Sequence, residues 1–325
     1  MKAILINDDQ SLRWDVVPDP VPKPDEVLIE IRYAALNRAD LMQRAGNYPP
    51  PPGAPEWMGL EVSGVVCGVG EDARGKWKEG DRVCALLGGG GYAEYVAVKA
   101  DMVMPIPEGL ALREAAAMPE AYATAYLNLF IEGKVKPGET FLMQAGASGL
   151  ASVVIPMAKA FGVRTLTTVL DDAAAESIRE LGADRIVVTG RESLVDALKE
   201  EEAAGHPVNA VLDCLGGRDM GKCLPYLAHG ARWIMIATLA GDLTEIDLRT
   251  VYVKNIRIIG STLRSRTPEM KGEILAAVVR DVFPKVTAGL IRPSIFAEFP
   301  IEKAEEAQAL MASGKHHGKI VMRVR

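Results

Sequence analysis

Histidine, cysteine and aromatic residues are scarce in this chain. Of 325 residues, four are His, four are Cys and 6% are aromatic. Cys67, Cys84, Cys214 and Cys223 form no CxxC pair, which argues against a structural zinc site or a dithiol redox centre. Buried free thiols in a reducing cytoplasm are the expectation, with a disulfide or a metal site as the alternative. His206, His229, His316 and His317 all fall in the second half, and the adjacent pair reads as solvated side chains rather than ligands. A basic surplus is also missing: 37 Lys and Arg against 43 Asp and Glu leave a net charge of −6. That excludes nucleic acid and anionic lipid surfaces as expected partners. No apolar run approaches the roughly 20 residues of a membrane span. The first residues, "MKAILINDDQ", turn acidic too soon for a signal peptide. A cytoplasmic protein is expected.

What is present is an apolar fraction of 49% with 25% charge, in a length that suits two domains. The first hundred residues hold short strand-like runs, "EVLIEIRYAAL", "VSGVVCGVG", "DRVCALL" and "YAEYVAV", punctuated by Gly and Pro. They suggest a small, partly open β barrel. Near Arg113 the texture changes to the Ala-rich "LREAAAMPEAYATAYLNLF", where Pro119 would break or kink a helix. Strand and helix then alternate: "TFLMQA", "RTLTTV", "RIVVT", "NAVLDCLG", "ARWIMIA" and "IRIIGST" are apolar runs separated by amphipathic stretches. Six strands in that rhythm predict an α/β doubly wound parallel (Rossmann) sheet. After about Ser265 come two helices, a strand between them and a final "GKIVMRV", which lacks a partner in the α/β section and is expected to return to the first domain. The domains read as 1–115 with 266–325, around 116–265.

"FLMQAGASGLASVVIPMAKAFG", residues 141–162, leaves a strand through a glycine turn into a helix expected at about 149–161. In that context Gly146 would permit the tight turn, and Gly149 would let backbone N–H groups approach a pyrophosphate at the helix N-terminus. Ala151 stands where a third glycine is usual and costs only a methyl group's clearance. Gly146, Ala147, Ser148, Gly149 and Leu150 are the candidate phosphate cradle, a plain strand-to-helix turn being the alternative.

Longer matches go further. "ALNRADLMQRAGNYPPPPGA" (35–54), "GLEVSG" (59–64), "MPIPEGL" (104–110), "AAAMPEAYATA" (115–125), "LDCLGG" (212–217), "STLRSR" (261–266) and "GKIV" (318–321) resemble the medium-chain dehydrogenase/reductases. The resemblance runs over the whole length, with a GroES-like catalytic domain around a Rossmann domain. Within that family the chain is most similar to the zinc-independent quinone oxidoreductase branch, notably the tumour-suppressor-inducible subfamily. Zinc-using relatives place a Cys where this chain has Asn37, a His where it has Leu60, and a further ligand near Glu120. One carboxylate alone does not hold a catalytic ion, so no zinc is expected.

Without a metal or a nearby His, the implied chemistry is hydride transfer from reduced nicotinamide to an electron-poor acceptor, a quinone or an activated alkene. Tyr48 matches a tyrosine that lines the nicotinamide pocket of quinone reductases, and a neutral phenol can donate to an oxyanion; an aromatic wall is the alternative. Asn37 could donate through its amide or serve structurally, and Asp40 reads as a turn or helix-cap residue. The resemblance further implies Thr124 near the nicotinamide ribose. Leu215, Gly216, Ala237, Thr238 and Leu239 are implied along the cofactor groove. Leu263 and Arg264 are implied at the nicotinamide end or a partner subunit. Each could be packing instead.

The coenzyme is NAD(P)H, leaning to NADH. After "RTLTTV" the chain reads Leu170, Asp171, Asp172, Ala173, Ala174, where NADPH-preferring relatives carry Ser or Thr and then Lys. Asp171 would repel a 2′-phosphate and could accept from ribose hydroxyls; capping the next helix is its alternative role. A reductase of 2-alkenals or enoyl thioesters is the second enzymatic reading, and a nucleotide-binding redox sensor or structural protein is the reading of another class. A homodimer joined through the apolar edge strand "IRIIGST" is expected.

Overall fold

The strand-like runs of the first hundred residues fold as strands. In the computed structural model, which describes residues 1–325, β1 (Lys2–Ile6) and β2 (Leu12–Val16) form an antiparallel pair. β3 (Glu26–Ala35) is the long centre of a second sheet. Its Val27, Ile29 and Ile31 are fully buried while Leu28 and Glu30 between them are partly exposed, the period-2 alternation of a strand with one face on a core. β4 (Glu61–Val69), β5 (Arg82–Leu86) and β7 (Val103–Pro105) extend this sheet antiparallel from β3, and β6 (Tyr95–Lys99) also pairs with β3. Just before β4, Gly59 (φ 108°) crosses the "GGGGY" segment so closely that a Cβ would lie 2.6 Å from Gly91 Cα. That crossing fixes where Leu60 and Glu61 begin.

Pro119 does not kink a long helix. A first turn, Leu112–Ala115, ends, and Pro119 opens a second helix, Pro119–Tyr126, at the position where its missing N–H costs nothing. Then come β8 (Thr140–Met143), β9 (Arg164–Val169), β10 (Arg185–Val188), β11 (Val208–Asp213), β12 (Leu227–Met235) and β13 (Arg257–Gly260). All pair parallel in the order β10-β9-β8-β11-β12-β13, the doubly wound sheet expected. The order reverses between β8 and β11, the switch point where such sheets bind ligands. Phe141, Leu142, Met143, Val211, Leu212 and Trp233 are fully buried, because helices cover both faces. β13 stands at the edge with Ile258 42% exposed.

The chain continues through the helix Pro268–Ala277, β14 (Ile295–Pro300) and the helix Ala304–Ser313 to β15 (Lys319–Arg323). β15 pairs parallel with β14 and antiparallel with β3, Val321 facing Ala35, so the final strand does return to the β-rich sheet. By packing, Met1–Ala123, Arg264–Gly289 and Pro293–Arg325 form a β-rich unit, and Thr124–Leu263 with Leu290–Arg292 a nucleotide-fold unit.

Candidate active site

The β-rich unit encloses a polar cluster where an apolar core would be the default. Asn37 sits at the end of β3, ahead of the helix Arg38–Arg44, and its N–H donates to Asp40 Oδ2 at 2.7 Å. Asp40 is thus the helix-cap residue expected. It is fully buried, and Tyr92 Oη donates to the same oxygen at 2.8 Å, while Oδ1 has no partner. Burial pushes the Asp40 carboxyl up to about 6, against the pull of these donors and of Lys319.

The Asn37 side chain is drawn the other way. Its Nδ2 donates to Glu61 Oε1 at 3.0 Å, and its Oδ1 accepts from Lys319 Nζ at 2.7 Å. Lys319 Nζ also lies 2.6 Å from Glu61 Oε1 and donates to Leu36 O at 2.8 Å. The Lys319 and Glu61 side chains are only 5% and 0% exposed, so each charge is balanced by the other rather than by water. Glu61 Oε2 accepts the backbone N–H of Glu120 at 2.9 Å. Glu120, in the first turn of Pro119–Tyr126, is itself half-buried; burial pushes its carboxyl up to about 7, Glu61 adding to this and Lys319 and Lys271 opposing. Sequence reasoning missed Lys319 as a site residue. The signal was a lysine opening the final strand directly ahead of the apolar run Ile320, Val321 and Met322.

Tyr48 follows in the loop before the proline run. The Arg264 guanidinium lies over its ring, 4.0 Å from the centroid, and donates to Pro49 O. Lys271 Nζ in turn donates to Arg264 O at 3.0 Å. Burial raises the Tyr48 phenol above its usual range, Arg264 works against that, and Glu120 and Asp40 add to it. The phenol is therefore neutral at physiological pH and able to donate. Arg264, expected at the nicotinamide end or a subunit contact, rests on Tyr48, whereas Leu263 before it is a buried residue of the nucleotide-fold unit. Leu60 is buried beside Glu61. No three His, Cys, Asp or Glu side chains are grouped so as to hold a metal ion. The adjacent histidines are not simply solvated: His316 is half-buried and the His317 ring stacks edge-on against Phe296 at 4.8 Å. None of the four cysteines forms a disulfide, but burial holds only for Cys84 and Cys223; Cys67 is exposed and Cys214 partly so.

In the nucleotide-fold unit the glycine turn follows β8 as expected, though its details differ. The left-handed backbone falls on Ala145 (φ 58°), not on Gly146. Gly146 is required for another reason. A Cβ there would lie 2.4 Å from Thr167 Oγ1, which is held on β9 by Met143 O at 2.7 Å. The turn therefore lies flat against β9, and Ala147, Ser148, Gly149 and Leu150 are left partly exposed above it. Ser148 Oγ accepts from Ala151 N at 3.1 Å and opens the helix Ala151–Ala160. A strand end, a turn pressed close at Gly146 and a helix N-terminus together fit the phosphates of a dinucleotide.

The loops after β11 and β12 meet beside it. Asp213, buried at the end of β11, accepts from Leu215 N at 2.7 Å and Gly216 N at 3.0 Å, and its other oxygen takes Trp233 Nε1–H at 2.9 Å. Leu239 N donates to Cys214 O at 3.1 Å and Ala240 N to Leu215 O at 2.8 Å. Leu215, Gly216, Ala237, Thr238 and Leu239 thus form one rim at the carboxyl ends of the strands, as ligand-binding loops of this sheet type do. Thr124, in the last turn of Pro119–Tyr126, has its carbonyl engaged by Asn128 Nδ2 at 2.8 Å. Asp171 takes the alternative role: it is the N-cap of the helix Asp172–Ser177, its Oδ1 accepting from Ala174 N at 2.8 Å. The rim also carries a cation that the sequence reading overlooked. Arg191, after β10, has Nη1 3.0 Å from Asp172 Oδ1.

The chain is similar to known proteins over nearly its whole length. Residues 23–108 match the alcohol dehydrogenase GroES-like domain and 149–280 the zinc-binding dehydrogenase family. The chain is 30% identical over 316 residues to the quinone oxidoreductase of Mus musculus, covering 96% of this chain and 93% of that one. Among solved structures it is similar to the Escherichia coli quinone oxidoreductase complexed with NADPH (TM-score 0.85, 25% identity, 99% of both chains). The quinone oxidoreductase of Thermus thermophilus, solved alone and with NADPH, is similar over the full length of both chains (TM-score 0.83, 29% identity).

Proposed function

The chain belongs to the medium-chain dehydrogenase/reductase superfamily, in its quinone oxidoreductase branch, and is an NAD(P)H-dependent oxidoreductase; from that premise we propose that it reduces quinones without a metal ion. When bound, the reduced nicotinamide supplies the hydride. The nucleotide-fold unit holds the coenzyme by the turn Gly146–Leu150 and the rim from Leu215 to Leu239. The β-rich unit provides Tyr48 as hydrogen-bond donor to the oxygen that gains negative charge. The observation carrying the metal-free reading is Lys319: its ammonium lies against Glu61 and Asn37, so a fixed cation stands among the groups a metal would need. Asn37 is already committed to both neighbours, leaving one N–H of its amide for an acceptor.

At the adenosine end Asp172 pairs with Arg191, and the helix-capping Asp171 adds a second carboxylate beside it in the chain. The net negative rim favours NADH at least as much as NADPH. A second copy pairing along β13 would cover Ile258, and the helix just before it also exposes Leu248, Tyr252 and Val253; light scattering should give twice the chain mass. Free cysteines suit a reducing cytoplasm, and no helix is long and apolar enough to cross a membrane.

The test is coenzyme oxidation with 1,2- and 1,4-quinones, 2-alkenals and crotonyl thioesters in parallel, with wild type and Tyr48→Phe. Quinones should be turned over best, and Y48F should lose about tenfold to a hundredfold in kcat with coenzyme affinity intact. Preference for an alkenal or thioester would replace the acceptor. Tight coenzyme binding without turnover of any of them would replace the enzyme by a sensor.

A further inference from the structure

Arg264 belongs to "STLRSR", a stretch that neither phosphate binding nor a metal explains. Its side chain is anchored twice on one loop: the guanidinium covers the Tyr48 ring at 4.0 Å and donates to the carbonyl of Pro49, the next residue. Its own carbonyl is held by Lys271 Nζ at 3.0 Å, so the backbone that carries the guanidinium is fixed as well. The backbone ahead of Tyr48 is tied to the preceding helix by Ala45 N to Leu41 O at 3.1 Å, Gly46 N to Gln43 O at 2.9 Å and Asn47 N to Met42 O at 2.8 Å, with Gly46 in the left-handed region (φ 78°), and Ala45, Gly46, Asn47 and Pro49 are exposed.

We propose that Arg264 is the positioning residue of the Tyr48 donor, clamping the phenol in place and biasing it electrostatically toward hydrogen-bond donation. This rests on Tyr48 acting as donor in the reading above. The groups facing the phenol are Arg264 on the cationic side and Glu120 and Asp40 on the anionic side. The carboxyls weaken the phenol as a donor when they ionise, and burial adds to the weakening; Arg264 is the group that opposes them. A cation on the ring face also attracts through the ring quadrupole. Its charge persists at every pH the enzyme meets, unlike a lysine's in a dry site. Stacked on the ring and hydrogen-bonded to Pro49, the guanidinium is a charge the Tyr48 loop cannot leave without breaking both contacts.

The test compares Arg264→Met and Arg264→Lys with Y48F and the double variant R264M/Y48F. R264M should lose about tenfold in kcat with coenzyme dissociation constant, measured by calorimetry, unchanged within about twofold. In the coenzyme-free protein, the ultraviolet titration of the Tyr48 phenol, identified as the difference from Y48F, should move to higher pH in R264M. R264K should recover part of that titration but little of kcat, since an ammonium cannot stack as a planar fork does. R264M/Y48F should be no slower than Y48F alone. Losses that multiply in the double variant overturn the clamp, and so does a tenfold weaker coenzyme with unmoved phenol titration, which would make Arg264 a coenzyme ligand. If Y48F itself turns over at the wild-type rate, the donor role of Tyr48 falls first and takes the clamp with it; a slow Y48F beside a normal R264M removes only the clamp.

Discussion

Replacing Asp40 by Asn should make the protein more stable as pH rises. Asp40 is fully buried, and burial lifts its pKa from 3.8 to about 6. A carboxyl that is harder to ionise in the folded than in the unfolded state contributes stability that is complete below pH about 4 and is lost as pH rises through about 6. The span from 3.8 to about 6, at 1.36 kcal/mol per decade, is about 3 kcal/mol. Asp40→Asn cannot ionise and escapes this loss, while its carbonyl can still accept from Asn37 N and Tyr92 Oη. The price is an amide placed where Oδ1 has no partner, about 1–3 kcal/mol and independent of pH. The signal is therefore the slope and not the offset: the stability of D40N minus that of wild type should rise by about 3 kcal/mol between pH about 4 and pH about 7. Glu120 titrates in both proteins, and because the Asp40 charge is one of the groups that raise its carboxyl, D40N changes the difference in the same direction. Urea unfolding followed by tryptophan fluorescence suits the measurement, because Trp14, Trp57 and Trp77 lie in the β-rich unit with Asp40. Parallel stability curves for the two proteins would refute the reasoning, since they would mean that Asp40 ionises as easily inside the fold as outside it.

Lys319→Met should strand the Glu61 carboxylate in a site with no exposure and cost about 3–5 kcal/mol. Adding Glu61→Gln should recover most of that loss in thermal melts, and a double variant no more stable than K319M would show that the pair is not coupled. At the coenzyme rim, kcat/KM with one quinone should be at least as high for NADH as for NADPH. Two unit charges about 4 Å apart repel by about 1 kcal/mol in water and about 4 kcal/mol at an effective dielectric of 20. Asp171→Ser with Ala173→Lys should therefore shift the ratio toward NADPH by about tenfold. Arg191→Ala should shift it the other way, and a ratio that neither change moves would place the 2′-phosphate elsewhere.

The sequence by itself determined the parts that depend on short windows. The alternation along β3 and the six apolar runs from "TFLMQA" to "IRIIGST" were legible because a strand's burial repeats every second residue and a covered parallel strand is apolar throughout. The glycine turn was legible as a motif, but its strain was not. The left-handed residue is Ala145 (φ 58°), and what requires a glycine at 146 is Thr167 reaching across from β9. Asp171 was read as a ribose or cap residue, and only the backbone geometry of the following helix showed it accepting from Ala174 N. The polar cluster of the candidate site was the least legible part. Lys319 meets Asn37 because β15 closes on β3 across nearly the whole chain, and Arg264 meets Tyr48 because the chain re-enters the β-rich unit after the nucleotide fold. Neither contact leaves a periodic trace, since each is a single polar side chain whose partner is chosen by burial. Inside a fold, a charge without water must find the nearest opposite charge or donor, and only the closed sheet decided which one that was.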